Sequence, residues 1–259
     1  MDTPLRTPLP IASYAAAIRT DAATLASAAA TAGPDAPVPT CPEWVVRDLV
    51  RHLGGVQRWA TSIVATPRTE PWNVDLPEVV GTWPDDDALT TWLQDGADAL
   101  ARALETADPG LQCWTFLKAT SPLAMWARRQ AHETAIHRVD GESSRGASGT
   151  PFEPSFGADG VDELLVCFIT RRKTKLRSPD PKVLRVTAVD ADGDWDVVVG
   201  DAGVITGPGG TERADATVRG EASDLYQALW NRPVSAPLDV TGDPAVLALF
   251  LDKVHITWS

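Results

Sequence analysis

The chain has 259 residues, enough to bury a sizeable core in one large domain or two of ordinary size. Its formal charge of -12 and pI near 4.7 set nucleic acid aside as a partner, because phosphate contacts need a basic surface. No stretch is apolar for the length of a membrane span, and the start, MDTPLRTPLPIASYAAAIR, lacks a basic, then apolar, then small-residue leader pattern, so a cytoplasmic protein with no membrane partner is expected.

In chain order, residues 11 to 32 are rich in Ala and lack internal Gly or Pro, which predicts a long helix with a small-residue packing face, ended by Gly33-Pro34. Thr40-Cys41-Pro42-Glu43 reads as a second helix start, a capping box with Pro in the first turn, and this helix is expected to reach about Ala65. Along it Trp44, Val45, Leu49, Val50, Leu53 and Val56 recur at helical spacing, and Gly54-Gly55 points to close packing. A third helix is expected from Pro84 to Thr106, with Asp85, Asp86 and Asp87 near its positive end, and a fourth from Pro122 to Asp140. Four such helices favour an antiparallel bundle, since each amphipathic face has to find another.

The segment from Gly141 to Gly157 is polar, rich in Gly, Ser and Pro and without period, which places a domain linker there. A helix over 158 to 171 follows, then strands over 183 to 189 and 195 to 199 joined by a turn at Asp190-Ala191-Asp192-Gly193-Asp194. Shorter strands are expected at 203 to 206, 216 to 219 and 238 to 240, with helices over 223 to 230 and 244 to 251. The fold class is therefore α+β in two domains, a four-helix bundle over residues 1–145 and a small α+β domain over 146–259.

Chemistry concentrates in Ala131-His132-Glu133-Thr134-Ala135-Ile136-His137, where a spacing of four sets Glu133 and His137 one turn apart on one helix face. His132 points about 100° away and is secondary at best. A catalytic metal site uses three N/O ligands and an open position, and His52 on the second helix is the candidate third ligand, with Asp48 one turn before it as a hydrogen-bond partner for its other nitrogen or as a solvated carboxylate.

The runs Thr40-Cys41-Pro42-Glu43-Trp44 through His52-Leu53, Arg128-Arg129-Gln130 through His137-Arg138, and Gly220-Glu221-Ala222 through Asn231-Arg232 with Val240-Thr241-Gly242-Asp243 resemble the actinobacterial mycothiol-dependent maleylpyruvate isomerase family. The resemblance covers nearly the whole chain. It implies a DinB-like bundle, a C-terminal domain similar to sterol-carrier-protein-like domains, a metal on His52, Glu133 and His137, and mycothiol as thiol cosubstrate. Gln57 is a difference, since relatives often carry His there; it bears on the substrate and leaves the three ligands intact.

The function this implies is a metal-dependent isomerase or thiol S-transferase, in which a metal-held thiolate attacks a small electrophile. Zinc is the expected metal, with nickel, iron or cobalt compatible with the same ligands. Two other readings stand beside it: a hydrolase working through bound hydroxide, and a non-catalytic metal or small-molecule binding protein with a closed site that recruits His132 or Cys41. Arg232 is expected either to hold a carboxylate or polar group of thiol or substrate, or to serve as a helix-end charge. Trp59 and Trp126, seven residues from their ligands, either wall a pocket or fill the core. Cys41, Cys113 and Cys167 fit a reducing compartment, His255 has no constellation, and Gly207-Pro208-Gly209-Gly210 lacks the Lys-Ser/Thr of a phosphate loop.

Overall fold

The computed structural model describes residues 7–72, 74–210 and 212–256. The first six residues, part of the run read above for a leader, lie outside them. Two compact units divide the chain: Pro8–Thr150, and the described residues from Pro151 onward together with Thr7. The first is helical and the second combines helices with one sheet, so the class is α+β. No helix among the described residues is long and apolar enough to cross a membrane.

In the first unit α1 (Ile11–Ala32) buries Ala15, Ile18, Ala22, Leu25 and Ala29 along one face. Gly33 ends it at φ 86°, a backbone that L side chains rarely adopt. The second helix, α2 (Val46–Ala65), begins later than its sequence signal. A bridge between Pro37 and Val45 holds the preceding chain, and the Asp48 carboxylate accepts the Val45 N–H at 3.1 Å. The reciprocal cap thus comes from Asp48 and not Glu43, which leaves Cys41 to Trp44 as a turn closed by a 2.8 Å backbone bond. The short α3 (Leu76–Val80) lies in the connection to α4 (Leu89–Thr106). Asp85 to Asp87 precede α4 instead of opening it, and Asp86 takes both arms of the Arg47 guanidinium at 2.7 and 2.6 Å. Finally α5 (Pro122–Ser143) starts on Ser121, whose hydroxyl accepts the Ala124 N–H at 3.1 Å, with Pro122 in the first turn.

Both α1 and α2 pack against α4 and α5. The register shows how they run. Tyr14 meets His132, Asp21 meets Arg138 and Leu25 meets Gly141, so α1 and α5 are parallel. Gly54 faces Trp92 and Arg58 faces Gly96, so α2 and α4 are parallel as well. Between these pairs the direction reverses: His52 meets His137 while Trp59 meets Trp126. The bundle is antiparallel by pairs, and the long connection carrying α3 returns the chain so that α4 can start beside the same end of the bundle as α2.

The second unit opens with α6 (Pro154–Asp162), which widens into a π-helical stretch over Glu163–Phe168. It starts four residues before the expected 158, because Pro154 sits in its first turn. Strands β1 (Lys182–Ala188), β2 (Asp194–Val199), β3 (Val204–Pro208), β4 (Ala216–Gly220) and β5 (Asp239–Gly242) form one sheet in the order β3-β2-β1-β4-β5. Among the described residues only the β1 to β4 pairing is parallel. Leu184, Val186, Val197, Val199, Ala216 and Val218 are buried, the alternation of period two that a half-covered sheet requires. Helix α7 (Ala222–Leu229) packs on α6 and β4, and α8 (Pro244–Lys253) on β1 and β4.

Gly54 tests the close packing inferred from sequence. A Cβ there would overlap the Trp92 indole, over which the Arg58 guanidinium lies 3.8 Å from the ring centroid. Gly54→Ala gains about 1 kcal/mol of helix propensity, but forcing the ring aside costs roughly 1–3 kcal/mol. The variant is expected to lose about 1 kcal/mol net in urea unfolding; stability equal to or above wild type would show that Trp92 yields freely.

Candidate metal centre

Helices α2 and α5 bring three ligand atoms to one point. Glu133 Oε1 lies 3.3 Å from His52 Nε2 and 3.3 Å from His137 Nε2, and all three ligand atoms fall within 4.8 Å of one another. Glu133 and His137 owe their meeting to the helical spacing of four, whereas His52 reaches them only because α2 runs against α5. Donor atoms about 2.1 Å from a tetrahedral zinc stand roughly 3.4 Å apart, which the two distances from Glu133 approach.

The surroundings fix these side chains from behind. Glu133 Oε2 accepts from Arg129 Nη2 at 3.1 Å, which leaves Oε1 toward the two rings. The Nδ1 of His137 lies 2.9 Å from Asp140 Oδ2, which aims Nε2 at Glu133. Cys41 Sγ approaches the same Asp140 oxygen at 3.6 Å. The Trp44 ring packs on His52 and His137 with centroid distances of 4.8 and 5.9 Å. Asp48, considered as a partner for His52, is instead engaged at the start of α2. The carboxylate behind a ligand is Asp140, on the other helix; its signal in the sequence is the His-x-x-Asp spacing within α5.

Electrostatics follow from this enclosure. Burial opposes the charged form of Glu133, but hydrogen bonds from His137 and His52 and the charges of His137 and Arg129 outweigh it and hold its pKa well below the usual range. For His137 burial again opposes the charge, yet the bonds to Asp140 and Glu133 push the pKa up to about 9. Without a metal, a proton on His137 is the cation that satisfies the two carboxylates.

Other residues singled out from sequence lie elsewhere. His132 is buried with its ring edge toward Tyr14, 6.3 Å between centroids, and the triad contains neither it nor Cys41. Trp59 and Trp126 do meet, at 5.1 Å, in an aromatic cluster with Trp114 and Phe116 that sequence reading did not anticipate. Gln57 is buried and its amide donates to Thr134 Oγ1 at 3.4 Å. Arg232 belongs to the second unit, where its Nη1 donates to the Trp230 carbonyl at 2.7 Å just beyond α7. His255 is exposed. Gly207 and Pro208 end β3, and Gly209 donates to the Asp194 carbonyl, so that run is part of the sheet edge.

A helical unit with a His/His/Glu cluster, followed by an α+β unit, defines the class. Comparison with known families agrees: the mycothiol maleylpyruvate isomerase N-terminal domain matches residues 15–141, and the C-terminal domain of the same family matches residues 155–249. The chain belongs to the mycothiol-dependent maleylpyruvate isomerase family. Crystal structures of a mycothiol-dependent maleylpyruvate isomerase and of a point variant of it are similar, with TM-scores of 0.59 and 0.61 at 15% identity, covering 90% of this chain and 93% of theirs. At that identity the likeness speaks for the fold. A UbiJ-SCP2 ubiquinone synthesis protein aligns with 40% of this chain and 92% of its own at 29% identity, with a TM-score of 0.29 that carries no argument. No curated protein matches the chain significantly.

The raised His137 pKa sets a pH dependence for the metal-free protein. A group whose pKa rises on folding stabilises fully below its unfolded value, here 6.5, and loses that contribution as the pH climbs through about 9. In chelator, unfolding free energy is expected to fall by roughly 3 kcal/mol across that window, with the slope removed by His137→Gln. Urea titrations at several pH values check this, and a flat wild-type profile contradicts it.

Proposed function

We propose that this protein is a mycothiol-dependent isomerase or thiol S-transferase acting on a small electrophile, with a divalent metal, zinc first, held by His52, Glu133 and His137. The observation that carries the proposal is the convergence of these three side chains, in a chain of this family, with Glu133 held by Arg129 and His137 by Asp140. Among the described residues the cluster has three members and not four, which supports an open position for a cosubstrate.

A bound divalent metal would supply the charge that keeps a thiol ionised near neutral pH. The protein's own charges favour such an anion. Glu133 and Asp140 contribute two negative charges and Arg129 one positive, so with a dication the set sums to one positive charge for a thiolate to balance. Trp44, over both imidazoles, shields that pairing from water.

The thiolate then adds to an alkene carbon conjugated with a carbonyl: a C–S bond forms and the alkene π electrons move onto the carbonyl oxygen. Rotation about the resulting single bond, followed by collapse of the enolate, expels the thiolate and leaves the trans isomer. Where the enolate is protonated at carbon instead, the thiol stays attached and the reaction is an S-transfer. Maleylpyruvate, the substrate in the relatives' name, is the first compound to try. Arg232 is proposed to hold a carboxylate or polar group of substrate or thiol, a task suited to its planar donor set, with Nη1 anchored on Trp230. We assign the reaction to the cytoplasm, where low-molecular-weight thiols stay reduced.

Purified protein is expected to carry close to one metal per chain and to isomerise or conjugate only with mycothiol present. His52→Ala, Glu133→Ala and His137→Ala should each lose most of the metal and at least about 1000-fold in rate, the scale of losing a charge-stabilising group. Elemental analysis with thiol-dependent turnover decides it. Metal retained in all three variants would remove the ligand assignment; turnover without thiol would make the enzyme a hydrolase, and metal without any turnover a binding protein.

A further inference from the structure

Asp140 has no exposed surface, and its Oδ2 receives two donors from different parts of the bundle, the His137 ring at 2.9 Å and the Cys41 thiol at 3.6 Å. The contact with Asp140 occupies Nδ1 of His137 and fixes the plane of its ring. The opposite nitrogen, Nε2, lies 3.3 Å from Glu133 Oε1, so a metal bound there would meet Nε2 while Nδ1 stays on Asp140. The three-residue spacing puts Asp140 directly behind the ring on the same helix, so no separate loop has to close to make the contact. His52 lacks this arrangement: the carboxylate one turn before it is spent on the start of α2, and the Trp44 indole packs on its ring.

We propose that Asp140 is a positioning residue for the metal site, holding His137 in the tautomer and orientation that present Nε2 and raising the basicity of that nitrogen. This rests on the ligand assignment made above and adds to it a residue outside the three ligands. The asymmetry has a consequence: His137 is anchored by a carboxylate behind its ring, whereas His52 meets the Trp44 ring and Glu133 itself. Carboxylates behind histidine ligands typically account for 10–100-fold in metal affinity.

The test is zinc affinity by competition with a chromophoric chelator, together with the visible spectrum of the cobalt-substituted protein, on full-length wild type, Asp140→Asn and Cys41→Ala. Asn keeps the shape and can still accept from Nδ1 but removes the charge, so folding, checked by circular dichroism, is expected to persist. Zinc affinity of Asp140→Asn should drop by about 10–100-fold, with displaced cobalt bands, because the ligand field of His137 weakens. Cys41→Ala removes the thiol from the same oxygen and leaves the His137 contact in place, so it should bind zinc within about twofold of wild type. An Asp140→Asn protein with wild-type affinity and cobalt spectrum overturns the inference while leaving the ligand assignment intact. So does a Cys41→Ala protein as weak as Asp140→Asn, since Asp140 would then act by holding the 41–44 turn. A wild type that binds no zinc overturns both this inference and the assignment it rests on.

Discussion

Helix α5 buries a row of charges, and the molecule is arranged around keeping each of them paired. Arg129 reaches Glu133, Glu133 reaches His137, His137 reaches Asp140 and Arg138 reaches Glu142, at spacings of four, four, three and four. An unpaired charge in such a place costs several kcal/mol. By spacing acid and base three and four residues apart, Arg129 to Asp140 on the side toward α2 and Arg138 with Glu142 on the side toward α1, the helix supplies most of the partners from its own sequence. The candidate ligands Glu133 and His137 belong to this ladder. A site built this way is largely assembled once α5 is helical, and only His52 has to be delivered from outside.

Delivery depends on small residues. Leu25 of α1 lies where a Cβ on Gly141 would be, and Trp92 of α4 lies over Gly54 of α2, so both neighbours come close only because those positions carry no side chain. The alanines of α1 extend the same principle along its length. Arg138 ties α1 to α5 through Asp21 at 3.0 Å, and burial raises the pKa of that Asp against the pull of Arg138. The apolar contacts set the distance between helices and the ion pairs set their register. Both are needed for His52 to arrive opposite Glu133 and not one turn away.

The features legible in the sequence were those with a local period. The spacing of Glu133 and His137, the alternation along β1 and β2, and the Ala-rich α1 each express a rule of their own element. What sequence reading misplaced depends on contacts between elements. The capping signal at Thr40 and Glu43 was plausible locally, but the bridge from Pro37 to Val45 keeps that stretch out of the helix, and the turn so formed sets Trp44 on the two imidazoles. Asp48 was open to two roles, partner of His52 or solvated carboxylate, and the start of α2 claimed it, while Asp140, given no role from sequence, stands behind His137. The parallel pairing of α1 with α5 and α2 with α4 has no sequence signature at all, since amphipathic faces do not encode direction.

That direction shapes the site. Because α2 and α5 are opposed, one seam between them carries His52, Glu133 and His137 at one level and Trp59 with Trp126 at another, two turns along each helix. Had the helices run the same way, the same residues could not have met both their own kind and each other. The polar level needs a low-dielectric setting for its ion pairs to be strong, and it tolerates one only because every ligand already has a partner. The aromatic level, with Trp126 fully buried and Trp114 and Phe116 packed on it, is apolar surface on that same seam. A charged cluster and a half-buried aromatic one on one seam give a setting in which an anion can be held with fewer waters than in bulk.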